Sequence, residues 1–118
     1  MKEQGLVERF CAYSKALSEP NRMKMIKIVG SHEPGTLNVS DIAEVLHLSQ
    51  PAATRHLKVM EDVGFFTRRR VGTSVYYSLN EDALGEFHDL IGYAFEHART
   101  KCDYAYDCHA CPHADTCR

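Results

Sequence analysis

Two groups of residues in this 118-residue chain have the types and spacing to do chemistry, and they lie far apart in sequence. The first is a run of thiols. Cys102, Cys108, Cys111 and Cys117 follow the spacing Cys-x5-Cys-x2-Cys-x5-Cys, while the fifth cysteine, Cys11, stands alone. The opening Met1-Lys2-Glu3-Gln4-Gly5 has no apolar signal core, so a cytoplasmic location is expected. In that reducing compartment four close thiols read first as metal ligands rather than structural disulfides. Thiolates take soft or borderline ions, and four of them suit tetrahedral zinc or another thiophilic ion. Cys108-x2-Cys111 has the spacing of a metal knuckle. The x5 arms are wider than usual zinc-ribbon pairs, and with Cys111-Pro112 they also resemble cysteine runs that hold an iron–sulfur cluster. Reversible dithiol redox is a third reading. His97, His109 and His113 are possible substitutes for a thiol. Cys11 is expected to be a small buried hydrophobe, joining the site only if its helix packs against the last one.

The second group is basic. Residues 1–80 carry eleven Lys or Arg against eight Asp or Glu, whereas residues 81–118 carry three against eight. Arg55, Lys58, Arg68, Arg69 and Arg70 are concentrated in the middle of the chain. A basic middle and an acidic, thiol-rich tail imply two separate jobs. No apolar run approaches the ~20 residues of a membrane span, so no membrane partner is expected. No Gly-rich phosphate loop, nucleophile elbow or acid–base pair at motif spacing is present, so the chain is not expected to be an enzyme.

The elements that must position these residues can be read from periodicity and punctuation. Leu6, Val7, Phe10, Tyr13 and Leu17 predict a first amphipathic helix over roughly 4–17. Ser18-Glu19-Pro20 starts a second, with Ser18 as its expected cap, ending at Gly30. Leu37-Asn38-Val39 can form a short strand, and Ser40 is the expected cap of a short third helix. Ser49 caps a fourth helix with Pro51 just inside it, and Gly64 ends that helix in left-handed conformation. Phe65 to Val71 and Ser74 to Leu79 are rich in β-formers around a glycine turn, a hairpin. Asn80 is the expected cap of a last helix with a stripe of Leu84, Phe87, Ile91, Ala94, Phe95 and Ala98. Periodicity stops beyond Thr100.

This order predicts a mainly α fold with a small β-hairpin, a winged helix-turn-helix. The fourth helix has an apolar face, Ala53, Leu57 and Met60, to hold it to a core. Its other face shows Gln50, Thr54, Arg55 and Lys58, which can reach base edges or phosphates in a major groove. Arg68, Arg69 and Arg70 lie on the wing. With Ser49 and Pro51 at the helix start and Thr73 in the wing turn they complete the candidate DNA-contacting set. His56, beside Leu57, reads as a core hydrogen-bonder rather than a metal ligand.

Five strings carry a resemblance to a known family. They are Ala16-Leu17-Ser18-Glu19-Pro20-Asn21-Arg22, Val39-Ser40-Asp41-Ile42-Ala43, Leu48-Ser49-Gln50-Pro51-Ala52-Ala53-Thr54-Arg55-His56-Leu57-Lys58, Gly64-Phe65-Phe66, and Arg68-Arg69-Arg70-Val71-Gly72. Together they resemble the ArsR/SmtB family of winged-helix repressors over about residues 10–98. The resemblance implies a homodimer joined by the first and last helices. It implies operator DNA as partner, bound in the apo state and released when a metal ion or other inducer binds. The long stripe on 84–98 is consistent with dimer burial.

The family's sensing residues do not carry over. Its arsenic and cadmium sensors have Leu-Cys-Val-Cys-Asp at the start of the third helix, where this chain has Leu37-Asn38-Val39-Ser40-Asp41. Its zinc sensors use Asp-x-His and His-x-x-Glu pairs on the last helix. Here Asp82 is followed by Ala83 and Leu84, and His97 by Thr100 three residues on. His88, Asp89, Glu96 and His97 read first as solvated, with a site across the dimer as the alternative. The expected division is therefore a DNA-binding and dimerisation domain, 1–100, and a cysteine-rich metal-binding tail, 101–118. The leading reading is a repressor whose tail senses a thiophilic metal or metalloid. The alternatives are an iron–sulfur or redox tail on the same repressor, and a protein-docking winged helix with a structural zinc staple.

Overall fold

The computed structural model describes residues 5–112; His113 and Cys117 lie outside the described residues. Its elements are α1 (Leu6–Ala16), α2 (Pro20–Gly30), β1 (Leu37–Asn38), α3 (Val39–Leu46), α4 (Gln50–Asp62), β2 (Phe66–Val71), β3 (Ser74–Leu79) and α5 (Glu81–His97). This is the winged helix-turn-helix order predicted above. Among the described residues no helix is long and apolar enough to cross a membrane.

Two expected caps are replaced by others, and a third stands in place without its side-chain bond. At α2 the cap is Glu19, not Ser18: the Glu19 carboxylate accepts from the Arg22 backbone N–H at 3.1 Å. The Ser18 hydroxyl is already used by α1, where it donates to the Lys15 carbonyl at 2.7 Å. A carboxylate also suits the positive end of the helix dipole. At α3 the cap is Asn38, not Ser40. Asn38 accepts from the Asp41 N–H at 2.9 Å, and Asp41 accepts from the Asn38 N–H at 3.1 Å. This reciprocal capping box satisfies two donors at once. At α5 Asn80 occupies the cap position without a side-chain cap bond. Its amide donates instead to the Gly64 carbonyl at 2.9 Å, and its backbone N–H donates to the Phe65 carbonyl at 2.8 Å. Asn80 thus ties the start of α5 to the end of α4. Ser49 does cap α4, accepting from the Ala52 N–H at 3.3 Å. Gly64 does end it, at φ +96°, a conformation that L side chains rarely adopt.

The sheet has the order β1-β3-β2, all antiparallel. Val71 pairs with Ser74 across a tight turn at Gly72, φ +61°. β1 adds a third strand through Leu37 opposite Tyr77 and Asn38 opposite Tyr76. Phe65 lies just before β2 rather than in it and is fully buried. With it Phe66, Met25, Ile42, Leu57 and Met60 form the centre of the core.

α1 packs on α5 through an aromatic cluster. Phe87 of α5 has ring centroids 5.7 Å from Phe10, 5.6 Å from Tyr13 and 5.8 Å from Phe65. Glu86 joins the two helices, accepting from Arg9 Nε and, at 3.0 Å, from the Tyr13 hydroxyl. The stripe on α5 divides. Leu84 and Phe87 pack on the core, whereas Ala94, Phe95 and Ala98 are exposed, Phe95 at 77%. At 1.5 Å per residue α5 is about 25 Å long, and its second half projects from the core. The radius of gyration, 17.4 Å, exceeds the roughly 13 Å of a compact chain of this length. Cys11 is exposed on α1, not buried: Tyr13 and Ala16 take the inward face of that helix.

Burial raises the phenol of Tyr13 above its ordinary value, and its hydrogen bond to Glu86 raises it further. Burial likewise raises Tyr77, with Glu61 adding to the shift. The folded chain therefore holds these protons more tightly than the unfolded chain. The stability they contribute is complete below the ordinary phenol value of 10.0 and is lost as pH rises through the raised folded values. Urea midpoints are expected to fall as pH rises above about 10, and the Tyr13→Phe variant to fall less steeply.

Candidate nucleic-acid interface

α4 is held by one face and bare on the other. Ala53, Leu57 and Met60 are fully buried. Gln50, Thr54, Arg55 and Lys58 are exposed, as are Ser49 and Pro51 at its start. The sharp turn from α3 into α4 is made by His47 in left-handed conformation, φ 55°, with the Leu48 N–H reaching back to the Ala43 carbonyl at 2.9 Å. Gln50 Nε2 donates to the Ser40 hydroxyl at 2.5 Å, which ties the starts of the two helices. Lys58 Nζ lies 3.6 Å from Asp62, an exposed pair one turn apart. Arg55 has no hydrogen-bonding or ionic partner among the described residues.

Strand alternation splits the three wing arginines. Arg68 and Arg70 share the face of buried Phe66, and Arg69 takes the other. Arg68 Nε lies 3.3 Å from Glu61 Oε2, so the wing is latched to the last turn of α4. The same guanidinium sits against Tyr77, where it partly opposes the upward shift that burial and Glu61 cause. Arg70 Nε donates to the Gly72 carbonyl at 3.4 Å, and Arg69 has no partner among the described residues. Thr73 completes the turn beside Gly72. The latch places the wing beside α4, so the exposed cations of both elements form one basic surface. Exposed pairs such as Lys58–Asp62 contribute only about 0–1 kcal/mol, so a phosphate can take the place of the acid.

The sequence reading placed His56 as a core hydrogen-bonder, and the structure supplies its partner. Arg22 Nη1 lies 3.1 Å from His56 Nδ1, and Arg22 Nε donates to the Ala16 carbonyl. Glu19 lies 3.8 Å from His56 Nε2. Arg22 was not among the candidate site residues. Its signal was its place two residues after the helix-starting proline, where a long side chain can turn back to the end of α1.

The thiols are only partly placed. Beyond α5 the chain runs in a succession of turns. Cys102 and Cys111 are half-buried and Cys108 is exposed. The Tyr104 backbone N–H donates to Cys102 Sγ at 3.4 Å. Asp107 holds the next turn, accepting from the His109 and Ala110 N–H groups at 3.2 and 3.3 Å. Among the described residues no three His, Cys, Asp or Glu side chains are gathered as for an ion. The donor chemistry suits a thiophilic metal, while the described portion does not assemble the ligands. Positions 38 and 40 are engaged elsewhere, in the α3 cap and the Gln50 bond. On α5, His88 and Asp89 are exposed 3.9 Å apart, and the His97 ring lies tilted against Tyr93 with centroids 4.4 Å apart.

Comparison with known proteins agrees with this geometry. A helix-turn-helix domain family model matches residues 17–69. The chain is 33% identical over 70 residues to the transcriptional repressor SdpR of Bacillus subtilis, covering 59% of this chain and 74% of that protein. It is 33% identical over 85 residues to a cadmium resistance transcriptional regulatory protein, a CadC homolog of Staphylococcus aureus, covering 72% and 66% of the two chains. In fold it is similar to the homodimeric winged helix-turn-helix DNA-binding domain of a possible ArsR-family regulator from Mycobacterium bovis. The TM-score there is 0.60 at 21% identity, over 82% of this chain and 90% of the other.

Arg69→Ala is expected to weaken duplex DNA binding on every sequence and to lower the slope of log affinity against log salt by about one. Arg55→Ala is expected instead to relax base preference, by roughly 1–3 kcal/mol at a good site. Fluorescence-anisotropy titrations over a salt series, on specific and scrambled duplexes, measure both.

Proposed function

The chain belongs to the ArsR/SmtB family of winged helix-turn-helix transcriptional regulators, and from that premise we propose that it is a homodimeric repressor whose tail thiols bind a thiophilic metal. The observation that carries the DNA-binding part is the bare outer face of α4, with Arg55 unpartnered and the wing latched alongside. In this reading Gln50, Thr54, Arg55 and Lys58 enter the major groove. Ser49, Pro51 and Thr73 lie at the phosphate edge, and Arg68, Arg69 and Arg70 follow the backbone.

The dimer reading rests on the second half of α5. A helix that projects from its own core with Phe95 77% exposed leaves an apolar stripe for a second copy to cover. The exposed Val7 on α1 extends that surface. The homodimer of the Mycobacterium bovis neighbour supports this reading. Phe95→Glu is expected to shift sedimentation toward monomer, because a buried unpaired charge is strongly unfavourable. A variant that stays dimeric at low micromolar concentration would place the interface elsewhere.

Residues 101–118 serve as the sensing segment in this proposal, with Cys102, Cys108, Cys111 and Cys117 as ligands. The chemistry of four thiols, the N–H bond to Cys102 Sγ, and the use of positions 38 and 40 for structure all support it. The S. aureus relative is a cadmium resistance regulator, which agrees with a thiophilic inducer. A tail that folds around an ion directly after α5 biases the angle between the two copies of that helix. The recognition helices must reach half-sites about one DNA turn apart, so a small change of angle takes them out of register. Coupling of this kind is typically about 1–3 kcal/mol. An iron–sulfur tail is the second reading, and the colour of anaerobically purified protein separates the two.

Metal uptake is expected to release protons, since the thiols must ionise. A chain ending at Arg99, and a Cys108→Ser, Cys111→Ser chain, are both expected to keep DNA binding and lose its response to cadmium or zinc in gel-shift titrations. If either still releases DNA on adding the metal, the tail is not the sensor.

A further inference from the structure

Arg22, Glu19 and the Ala16 carbonyl meet around His56 on the inner side of α4. Arg22, on the first turn of α2, donates from Nε to the Ala16 carbonyl at the end of α1, and its Nη1 lies 3.1 Å from His56 Nδ1 on α4. Glu19, which caps α2, also accepts from Asn21 Nδ2 at 3.3 Å and faces His56 Nε2 at 3.8 Å. His56 lies beside buried Leu57, away from the bare face of the helix, so it is not placed to touch DNA.

Arginine has only donors and stays charged at any ordinary pH. A short contact between its guanidinium and an imidazole nitrogen is favourable only if that nitrogen accepts. Nδ1 of His56 is therefore the acceptor of the Arg22 bond, and Nε2 is turned toward Glu19. The charged groups in contact with His56 are Arg22 and Glu19.

The apolar face of α4 fixes how deeply the helix sits, but packing of Ala53, Leu57 and Met60 resists rotation and sliding only weakly, because one is alanine and one is a flexible methionine. A directional bond at mid-helix supplies what packing lacks. We propose that His56 is a positioning residue for DNA recognition, holding the rotation and register of α4 through its Nδ1 bond to Arg22. Through the Ala16 carbonyl this bond also joins α4 to the end of α1. The inference rests on the repressor reading above: α1 belongs to the dimer surface there, so the Arg22 link is a direct path between that surface and the recognition helix.

The test compares two uncharged replacements. Asparagine places an amide oxygen where Nδ1 stands, whereas glutamine places it near Nε2, out of line with Arg22. Wild-type protein first enriches its own site from a random duplex library. The ratio of affinity for that duplex to affinity for a scrambled duplex is then measured for each protein. Thermal melting serves as the folding control. His56→Asn is expected to keep the wild-type ratio. His56→Gln is expected to lower it by about tenfold or more, the equivalent of one misplaced base contact. Equal ratios for the Asn and Gln variants would overturn the positioning role. Failure of wild type to enrich any sequence would overturn the repressor reading instead.

Discussion

A recognition helix must be fixed by one side and left bare on the other, and most of this structure follows from how α4 meets that demand. Its inward side has little to offer: an alanine, a leucine and a methionine, all fully buried. The remaining fixation comes from bonds at its start, middle and end. Ser49 caps its first turn and Gln50 reaches Ser40. His56 meets Arg22 at mid-helix. At the far end Gly64, in a left-handed conformation, lets the chain turn so that Phe65 and Phe66 enter the core at once. Asn80 then closes that corner by bonding to Gly64. The His56, Gly64 and Asn80 contacts use groups turned away from the bare face, whereas Gln50 lies on that face and is shared between Ser40 and any ligand.

The features legible in the sequence were those set by local rules. The proline and serine at the start of α4, its three-and-four spacing and the glycine after it place that helix within a residue of where it is found. The hairpin was equally plain, because β-rich runs flank a glycine turn. What failed were choices among near neighbours. Ser18 or Glu19, and Asn38 or Ser40, are all competent caps, and the outcome turned on which hydroxyl was already taken by another element. Asn80 looked like a cap until its amide found the Gly64 carbonyl, 16 residues away in sequence. The Arg22–His56 bond spans 34 residues and leaves no periodic trace. Cys11 was misplaced because a lone cysteine is usually buried, whereas here the helix turns Tyr13 and Ala16 inward instead.

The candidate interface divides in the same way. Arg55, Lys58 and the wing arginines were visible as charge in a predictable place. That Arg68 is latched to Glu61 while the Arg69 side chain has no partner among the described residues follows from strand alternation once the register is known, and the register depends on the turn at Gly72. The tail was legible only as composition. Its turns and the Tyr104-to-Cys102 bond are local features that spacing alone does not encode.

Helix α3 bears on the proposal that sensing lies in the tail. A side chain at position 38 must cap the helix, and here Asn38 and Asp41 satisfy one another's backbone donors. A cap of this kind contributes about 1 kcal/mol, and it holds the helix that presents Ser40 to Gln50. A cysteine at 38 is a weak acceptor, so a helix started that way gives up most of this contribution until an ion arrives. In this chain α3 is complete without one, and the orientation of α4 that depends on it is complete as well. The proposed sensing segment would act instead through a surface that the single chain leaves unfinished: the projecting half of α5, with Phe95 bare and the thiol turns immediately beyond it.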